Sequence, residues 1–110
     1  MLLSSLKILD FSTLLPGPFA TMMLADMGAE VLRVEAPNRA DLTRDLGEKD
    51  EDGVSYIHKT LNRSKRSLAL DLKSDKAIDI IKLLIKDYDI VIEQFRPGVM
   101  KRLGLDYDSL

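Results

Sequence analysis

The sequence of 110 residues contains no cysteine, no tryptophan and a single histidine, His58. Without cysteine, disulfide bonds, thiolate zinc sites and thiol catalysis are excluded within these residues, and no metal-ligand spacing is present. The net charge of −2 argues against general affinity for nucleic acid. The apolar residues 1–6 are too few for a signal peptide or a membrane span. A cytoplasmic protein with one small core and no membrane partner is the default expectation.

The stretch 8–35 has the pattern of a strand, a turn, a helix and a second strand. Aliphatic residues predict a buried strand over 6–11. A helix follows from Pro18, because proline is tolerated at the first helical position, and Gly28 ends it in the left-handed conformation. A second strand over 30–35 completes a parallel βαβ unit, whose ligands bind at the carboxyl ends of the strands.

The turn before this helix lacks the G-x-G-x-x-G fingerprint of dinucleotide-binding turns. Pro16 and Pro18 remove two N–H donors, so the turn is a poor cradle for a pyrophosphate and is better suited to wall a bulky or apolar group. The apolar helical face that follows is predicted to fill the core. Its members are Phe19, Met22, Met23 and Met27.

The rest of the chain repeats the alternation of strands and helices. Residues 41–53 are predicted to form a solvated charged loop, residues 54–61 a short amphipathic segment, and residues 68–72 a third strand. Ser74 is a suitable N-cap for a helix that continues to residue 86, and a fourth strand covers 89–93. Gly104 closes a short helix over 98–103, and a further element barely starts before the last residue.

This element order predicts an α/β fold: a Rossmann-like, mostly parallel sheet with helices on both faces. Because a new element starts at the end of the chain, residues 1–110 are expected to be the incomplete N-terminal part of a larger α/β domain.

Two basic clusters are separated from the acidic residues. They are Lys59, Arg63, Lys65 and Arg66 before the third strand, and Arg96, Lys101 and Arg102 after the fourth. Such clusters suit an anionic ligand, because phosphates form charge-assisted hydrogen bonds with arginine. Ordinary solvated loop cations are the alternative, and the spacing alone does not decide between the two.

The titratable residues give weak signals for catalysis. His58 has no visible partner for general acid–base chemistry, so a structural role is favoured. Asp10 ends the first strand, where buried aspartates commonly cap loops. Glu35 ends the second strand, where related folds place an acid on a ribose hydroxyl, and both a binding and a structural role stay open.

Several short motifs carry a family resemblance. They are LDF at 9–11, PGPFA at 16–20, LADMGAEV at 24–31, VEAP at 34–37, NRSKRSL at 62–68, LDLK at 70–73, EQFRPGV at 93–99 and LGL at 103–105. In this order and spacing they closely resemble the N-terminal part of the class III CoA-transferase superfamily, which includes CaiB/BaiF proteins, formyl-CoA transferase and α-methylacyl-CoA racemase. The resemblance implies a cytoplasmic enzyme that acts on acyl-CoA thioesters as an interlocked homodimer. Coenzyme A is then a substrate, and no prosthetic group is implied.

The resemblance also assigns CoA-contacting residues by position. They are Leu14, Leu15, Leu70, Asp71, Leu72, Lys73, Gln94, Phe95, Arg96 and Arg102. Relatives often carry Arg or Lys where this chain has Ala36, and our hypothesis is that Arg39 replaces that phosphate contact. The catalytic residues of the family are implied to lie beyond Leu110. The chain is therefore predicted to hold no catalytic residue and to be inactive by itself.

Small differences divide the chemistry of the family. Leu15 and Gln94 stand where transferases often have Gln and Asn, which favours an α-methylacyl-CoA racemase-like enzyme that removes and returns the α-proton. The inserted loop before Asn62 and the run 35–37 favour the alternative, a CoA-transferase that uses an acylated aspartate. A third possibility from another class is a nonenzymatic nucleotide-binding or oligomerisation module.

Overall fold

The computed structural model describes all 110 residues as four strands, four α-helices and two 3₁₀ turns. In chain order these are β1 (Lys7–Asp10), α1 (Pro16–Asp26), β2 (Glu30–Glu35), the turn Leu42–Asp45, α2 (Tyr56–Leu61), β3 (Arg66–Ala69), α3 (Asp75–Ile85), β4 (Ile90–Ile92), α4 (Val99–Leu103) and the turn Tyr107–Ser109. The longest helices have 11 residues, and none of the helices qualifies as a membrane span.

The four strands form one parallel sheet in the order β3-β2-β1-β4. In its centre Leu9 of β1 lies opposite Leu32 of β2 and Val91 of β4. The chain adds β2 and β3 on one side of β1 and then crosses to place β4 on the other side. This reversal creates a crevice at the carboxyl ends of the strands, the usual ligand position in open α/β sheets. The predicted α/β fold is confirmed.

Apolar side chains cover both faces of the sheet, because alternate residues of a strand point to opposite sides. Ile8 and Val31 pack against Ala25 and Ala29 on the face that α1 covers. On the other face, a second cluster joins β1, β2, α3 and α4; its buried members are Leu9, Phe11, Val34, Ile81, Met100 and Leu105. Helices therefore lie on both faces, as predicted.

The predicted buried face of α1 is wrong for most of its members. Phe19, Met23 and Met27 are exposed by 53%, 49% and 38%, and only Met22 lies in the core. The buried face instead consists of Pro18, Thr21, Met22 and Ala25. Both sides of α1 are apolar, so periodicity could not select one; the buried hydrogen bond from Thr21 Oγ1 to Asp10 Oδ2, 2.7 Å long, marks the inner side.

Two further boundaries differ from the predictions. β3 covers Arg66–Ala69 rather than 68–72, because Asp71 accepts the Lys73 N–H at 3.0 Å and turns the chain away from the sheet. The loop predicted to be solvated is partly buried: Asp41, which precedes the first 3₁₀ turn, is 6% exposed, and Thr43, inside that turn, is 0% exposed.

The predicted ends of three helices agree with the structure. Gly28 follows α1 with φ of 104°, and Gly104 ends α4 with φ of 75°, both in the left-handed region that glycine adopts freely. Ser74 is the N-cap of α3, although its side chain makes no capping hydrogen bond.

Candidate functional site

A cleft of about 810 Å³ lies at the carboxyl edge of the sheet. Its lining comes from the ends of all four strands, represented by Phe11, Val34, Leu70 and Phe95, and from α4. One wall is the segment 36–42 between β2 and the first 3₁₀ turn, which we call the rim segment. The crevice expected from the strand order is therefore an open cleft with a largely apolar floor.

Three cations of the cleft have no acidic partner. Arg39, Lys73 and Arg102 line it, are exposed, and take part in none of the ion pairs of the structure. Three acids also line the cleft: Glu35 and Asp41 are already paired with arginines, and only Asp71 is in no ion pair, so the cleft has three free cations and one free acid. This excess of free positive charge suits a phosphorylated ligand.

Eight of the eleven residues predicted to contact CoA line this cleft. They are Leu14, Arg39, Leu70, Asp71, Leu72, Lys73, Phe95 and Arg102. Leu15, Gln94 and Arg96 lie outside the lining. Leu15 is half exposed at the start of α1, and the Gln94 amide donates to the Thr13 carbonyl at 2.5 Å, which gives Gln94 a structural role.

The first basic cluster does not form an anion site. Arg63 binds Asp26 at 2.6 Å, Lys59 pairs with Asp50, and Arg66 lies 3.9 Å from Glu30. The fourth member, Lys65, points inward and donates to the Pro18 carbonyl at 2.9 Å and to Asn62 Oδ1 at 3.2 Å. Three of these cations are paired with acids at the surface, while Lys65 is partly buried and is therefore not the solvated loop cation that the alternative describes.

A buried ionic network behind the rim segment was missed by the sequence analysis. Arg33, 2% exposed, pairs with Glu35 and, at 2.8 Å, with Asp41, while Arg44 binds the outer side of Glu35 at 3.1 Å. Arg33 Nε is the one buried side-chain polar atom without a hydrogen-bond partner. The signal in the sequence was an arginine inside an otherwise aliphatic strand, because buried charges in proteins are paired.

The Asp41 carboxylate uses both oxygens. Oδ1 accepts from the Thr43 N–H at 3.0 Å and the Thr43 hydroxyl at 2.8 Å, and Oδ2 accepts from Arg33 Nη2. Burial by itself raises the pKa of Asp41, but the hydrogen bonds from Thr43 and the Arg33 charge outweigh it, so the pKa lies below its ordinary value. Asp41 is thus an ionised buried anchor.

His58 extends this network away from the cleft. Thr43 Oγ1 lies 2.8 Å from His58 Nδ1, and the side-chain amide nitrogen of Asn62 lies 3.3 Å from the same ring nitrogen. Burial, followed by the positive charges of Arg44 and Arg33, lowers the pKa of His58. His58 is 6% exposed and does not line the cleft, which favours the structural role predicted for it.

Asp10 also has a structural role, as its strand-end position indicated. Its carboxylate is completely buried and accepts from the Ser12 N–H at 2.8 Å, from the Ser12 hydroxyl and from Thr21 Oγ1. These bonds join the end of β1 to α1. The structure also places no group of three or more His, Cys, Asp or Glu side chains where they could hold a metal ion.

The partly buried Lys65 predicts that the stability of the chain depends on pH. Its burial lowers the pKa to about 8, from an ordinary value of 10.5. Between about pH 8 and pH 10.5 the unfolded chain binds more protons at Lys65 than the folded chain does, so the free energy of unfolding should rise with pH. Urea denaturation from pH 7.5 to 9.5 should show this rise, and the variant Lys65→Met should lack it. An unchanged pH dependence in Lys65→Met would contradict the assignment.

A second cavity of similar size, about 820 Å³, lies beside β4 and differs in charge. Four acids line it, Asp89, Glu93, Asp106 and Asp108, and no Lys or Arg does. An anionic ligand is therefore repelled there, and the carboxyl-edge cleft is the candidate site.

The fold and the cleft define a doubly wound α/β domain with a cation-bearing crevice at its strand ends. Within that class, the family model of CoA-transferase family III matches residues 3–110. The chain belongs to this family. It is 46% identical to an acyl-CoA transferase of Fusarium pseudograminearum and 41% identical to succinyl-CoA:glutarate CoA-transferase of Homo sapiens, and each alignment covers 98% of the chain and 25% of the relative. The chain thus spans about a quarter of the length of these curated relatives.

Solved structures agree with this assignment. A CaiB/BaiF family protein from Brucella suis matches with a TM-score of 0.87 and 34% identity, over 96% of this chain and 29% of that protein. A hypothetical protein from Mycobacterium tuberculosis matches with a TM-score of 0.86 and 36% identity, over 97% of this chain and 29% of that one. The resemblance to class III CoA-transferases predicted from the motifs is confirmed.

Proposed function

We propose that this chain is the CoA-binding N-terminal part of an enzyme that transfers CoA between carboxylic acids. The observation that carries the proposal is the set of three unpaired cations, Arg39, Lys73 and Arg102, around an otherwise largely apolar cleft. CoA has the matching chemistry, since its phosphates need cations and its adenine and pantetheine need apolar contact. Family membership supports the same ligand.

For the acyl group we propose short dicarboxylic acids. The support is in the names of the relatives: succinyl-CoA:glutarate CoA-transferase of Homo sapiens is 41% identical, and succinyl-CoA:mesaconate CoA-transferase of Haloarcula hispanica is 38% identical. In the reaction, a carboxylate nucleophile of the enzyme attacks the thioester carbonyl, which forms a mixed anhydride and releases the CoA thiolate. The thiolate then attacks the enzyme's own carbonyl of the anhydride, which releases the first acid and leaves an enzyme–CoA thioester. The second acid reverses the two steps, so that it leaves as its CoA thioester and the enzyme carboxylate is restored. We propose that this nucleophile lies outside residues 1–110, so the chain alone binds CoA without transferring it.

The racemase-like activity favoured by the sequence is the second candidate, because the motifs at 16–19 and 94–100 resemble racemases. The names of the relatives favour CoA transfer. Two assays on the full-length protein separate the candidates: formation of glutaryl-CoA from succinyl-CoA and glutarate, and deuterium uptake at the α-carbon of a 2-methylacyl-CoA in D₂O. We expect glutaryl-CoA to form and no deuterium to enter the α-carbon. Deuterium uptake without formation of glutaryl-CoA would overturn the proposal in favour of racemisation.

Arg39 tests the phosphate contact. Because Ala36 cannot bind a phosphate, we expect Arg39→Ala to weaken CoA binding about tenfold, as expected for one lost hydrogen bond to a charged group. Dephospho-CoA, which lacks the 3′-phosphate, should bind the variant and the wild type equally. The matched control is Arg66→Ala, an exposed arginine outside the cleft, titrated calorimetrically beside it. If Arg39→Ala binds CoA as tightly as Arg66→Ala does, Arg39 has no such role.

A nonenzymatic nucleotide module is distinguished by its ligand range. If pantetheine contributes to binding through the apolar floor of the cleft, CoA should bind more tightly than ATP in calorimetric titration of the chain. Equal affinity for CoA and ATP would favour the module over the enzyme.

We also propose that the full-length protein is a cytoplasmic homodimer. The exposed apolar side chains along one side of α1, namely Leu15, Phe19, Met23 and Met27, support burial against further protein. Light scattering on the full-length protein should give twice the monomer mass, and a monomer at micromolar concentration would contradict it.

A further inference from the structure

The turn that follows β1 is held by two side chains from distant parts of the chain. The Thr13 carbonyl accepts from the Gln94 amide at 2.5 Å, and the Leu14 N–H donates to Asp41 Oδ2 at 3.4 Å. Leu14 has a φ of 64°, in the left-handed region that is unfavourable for a residue with a side chain. The turn therefore depends on contacts from outside itself to keep this conformation.

The contact to Leu14 comes from the same carboxylate that anchors the rim segment. Asp41 Oδ2 accepts from Leu14 on one side and from Arg33 Nη2, 2.8 Å away, on the other. Oδ1 is occupied by the N–H and the hydroxyl of Thr43. One buried carboxylate thus joins β2, the turn after β1 and the first 3₁₀ turn.

The joined segments are also the walls of the cleft. The lining contains every residue from Arg33 to Leu42 on one side, and Thr13 and Leu14 on the turn. The other carboxylate of the network, Glu35, makes its hydrogen bonds to Arg33 and Arg44 and none to the turn. The distance between the rim segment and Leu14 is therefore set through Asp41.

We propose that Asp41 is a positioning residue for the CoA cleft: it fixes the rim segment against the left-handed Leu14 turn, and so preorganises the walls that receive the ligand. Its side chain, 1% exposed, is too deeply buried to be a principal ligand contact. Preorganised walls raise affinity because their ordering is complete before the ligand arrives. The inference rests on the proposed function for its choice of ligand.

Asp41→Ser separates this role from helix capping. A serine still accepts from the Thr43 N–H, because serine is a good N-cap, but its shorter side chain does not reach Leu14 and Arg33. The control is Val31→Ala, which opens the core on the α1 face, away from the cleft. Calorimetric titration of the chain with CoA is made at a temperature where urea denaturation shows both variants to be folded.

We expect Asp41→Ser to weaken CoA binding about tenfold, which corresponds to about 1.4 kcal/mol, and Val31→Ala to bind like the wild type. Amide hydrogen exchange without ligand should be faster at Leu14 in Asp41→Ser than in Val31→Ala. Equal CoA affinity of Asp41→Ser and Val31→Ala, or unchanged Leu14 exchange, would overturn the inference. If the wild-type chain itself does not bind CoA, the proposed function fails, and the Leu14 exchange still decides the role of Asp41.

Discussion

Arg33→Ala is expected to destabilise the chain by about 3–5 kcal/mol, the range for removing one member of a buried ion pair. Arg33 is 2% exposed, and its guanidinium pairs with both Glu35 and Asp41. Without it the buried Asp41 carboxylate keeps only Thr43 and Leu14 as donors, and Glu35 keeps only Arg44. The measurement is the free energy of unfolding from urea denaturation, and a chain of this size loses much of its stability at that cost.

The chain offers a matched control in Arg63, which binds Asp26 at 2.6 Å, about the distance of the Arg33–Asp41 pair. Half of the Arg63 side chain is exposed, so Arg63→Ala should change stability little. Arg33→Lys, which keeps the charge but loses the planar fork that serves two carboxylates, should fall between the wild type and Arg33→Ala. Equal losses for Arg33→Ala and Arg63→Ala would show that the buried network is not important for stability.

Gly17→Ala is expected to cost about 3 kcal/mol, at the upper end of the range for overpacking. A Cβ at this position would lie 2.2 Å from the Cβ and the Oγ of Ser12 and 3.0 Å from the Gln94 side-chain oxygen. Gly17 has no positive φ, so the cost is steric. The absence of a side chain allows the start of α1 to approach the end of β1 closely.

A double-mutant cycle with Ser12→Gly tests this cause, because that substitution removes the two atoms closest to the new Cβ and leaves the Gln94 oxygen. Gly17→Ala should then cost clearly less in the Ser12→Gly background than in the wild type. Gly53→Ala is the control for backbone conformation alone, with a φ of 78° and no atom within 4 Å of the added Cβ. Additive losses of Ser12→Gly and Gly17→Ala would contradict the steric explanation.

The sequence predicted the elements of this fold well where local chemistry decides them. The buried aliphatic runs of β1 and β2 and the glycines at helix ends each act over a few residues. The start of α1 was less exact, because the helix begins at Pro16, two residues before the predicted Pro18. The sequence did not predict which side of α1 is buried, because Phe19 and Met23 are as apolar as the buried residues. Which side is covered depends on the contact of Thr21 with Asp10, eleven residues apart, and periodicity does not contain that information.

The candidate site shows the same division. The lining residues at 70–73 and Arg102 were implied by the family resemblance of the motifs, and the structure brings them together in one cleft. The network of Arg33, Asp41 and His58 was not predicted, because its members meet only when the segment 36–58 folds back on β2. A run rich in charge is usually solvated, and here a part of it is a buried anchor.

The central claim is that CoA binds in the carboxyl-edge cleft, and an NMR titration of the ¹⁵N-labelled chain with CoA tests it most directly. We predict that the amide resonances of Ala36, of residues 38–42 and of residues 70–73 shift together and saturate, while those around the acidic cavity beside β4, such as Asp89 and Tyr107, stay unchanged. Shifts confined to the β4 side, or no saturable shift at any amide, would contradict the account.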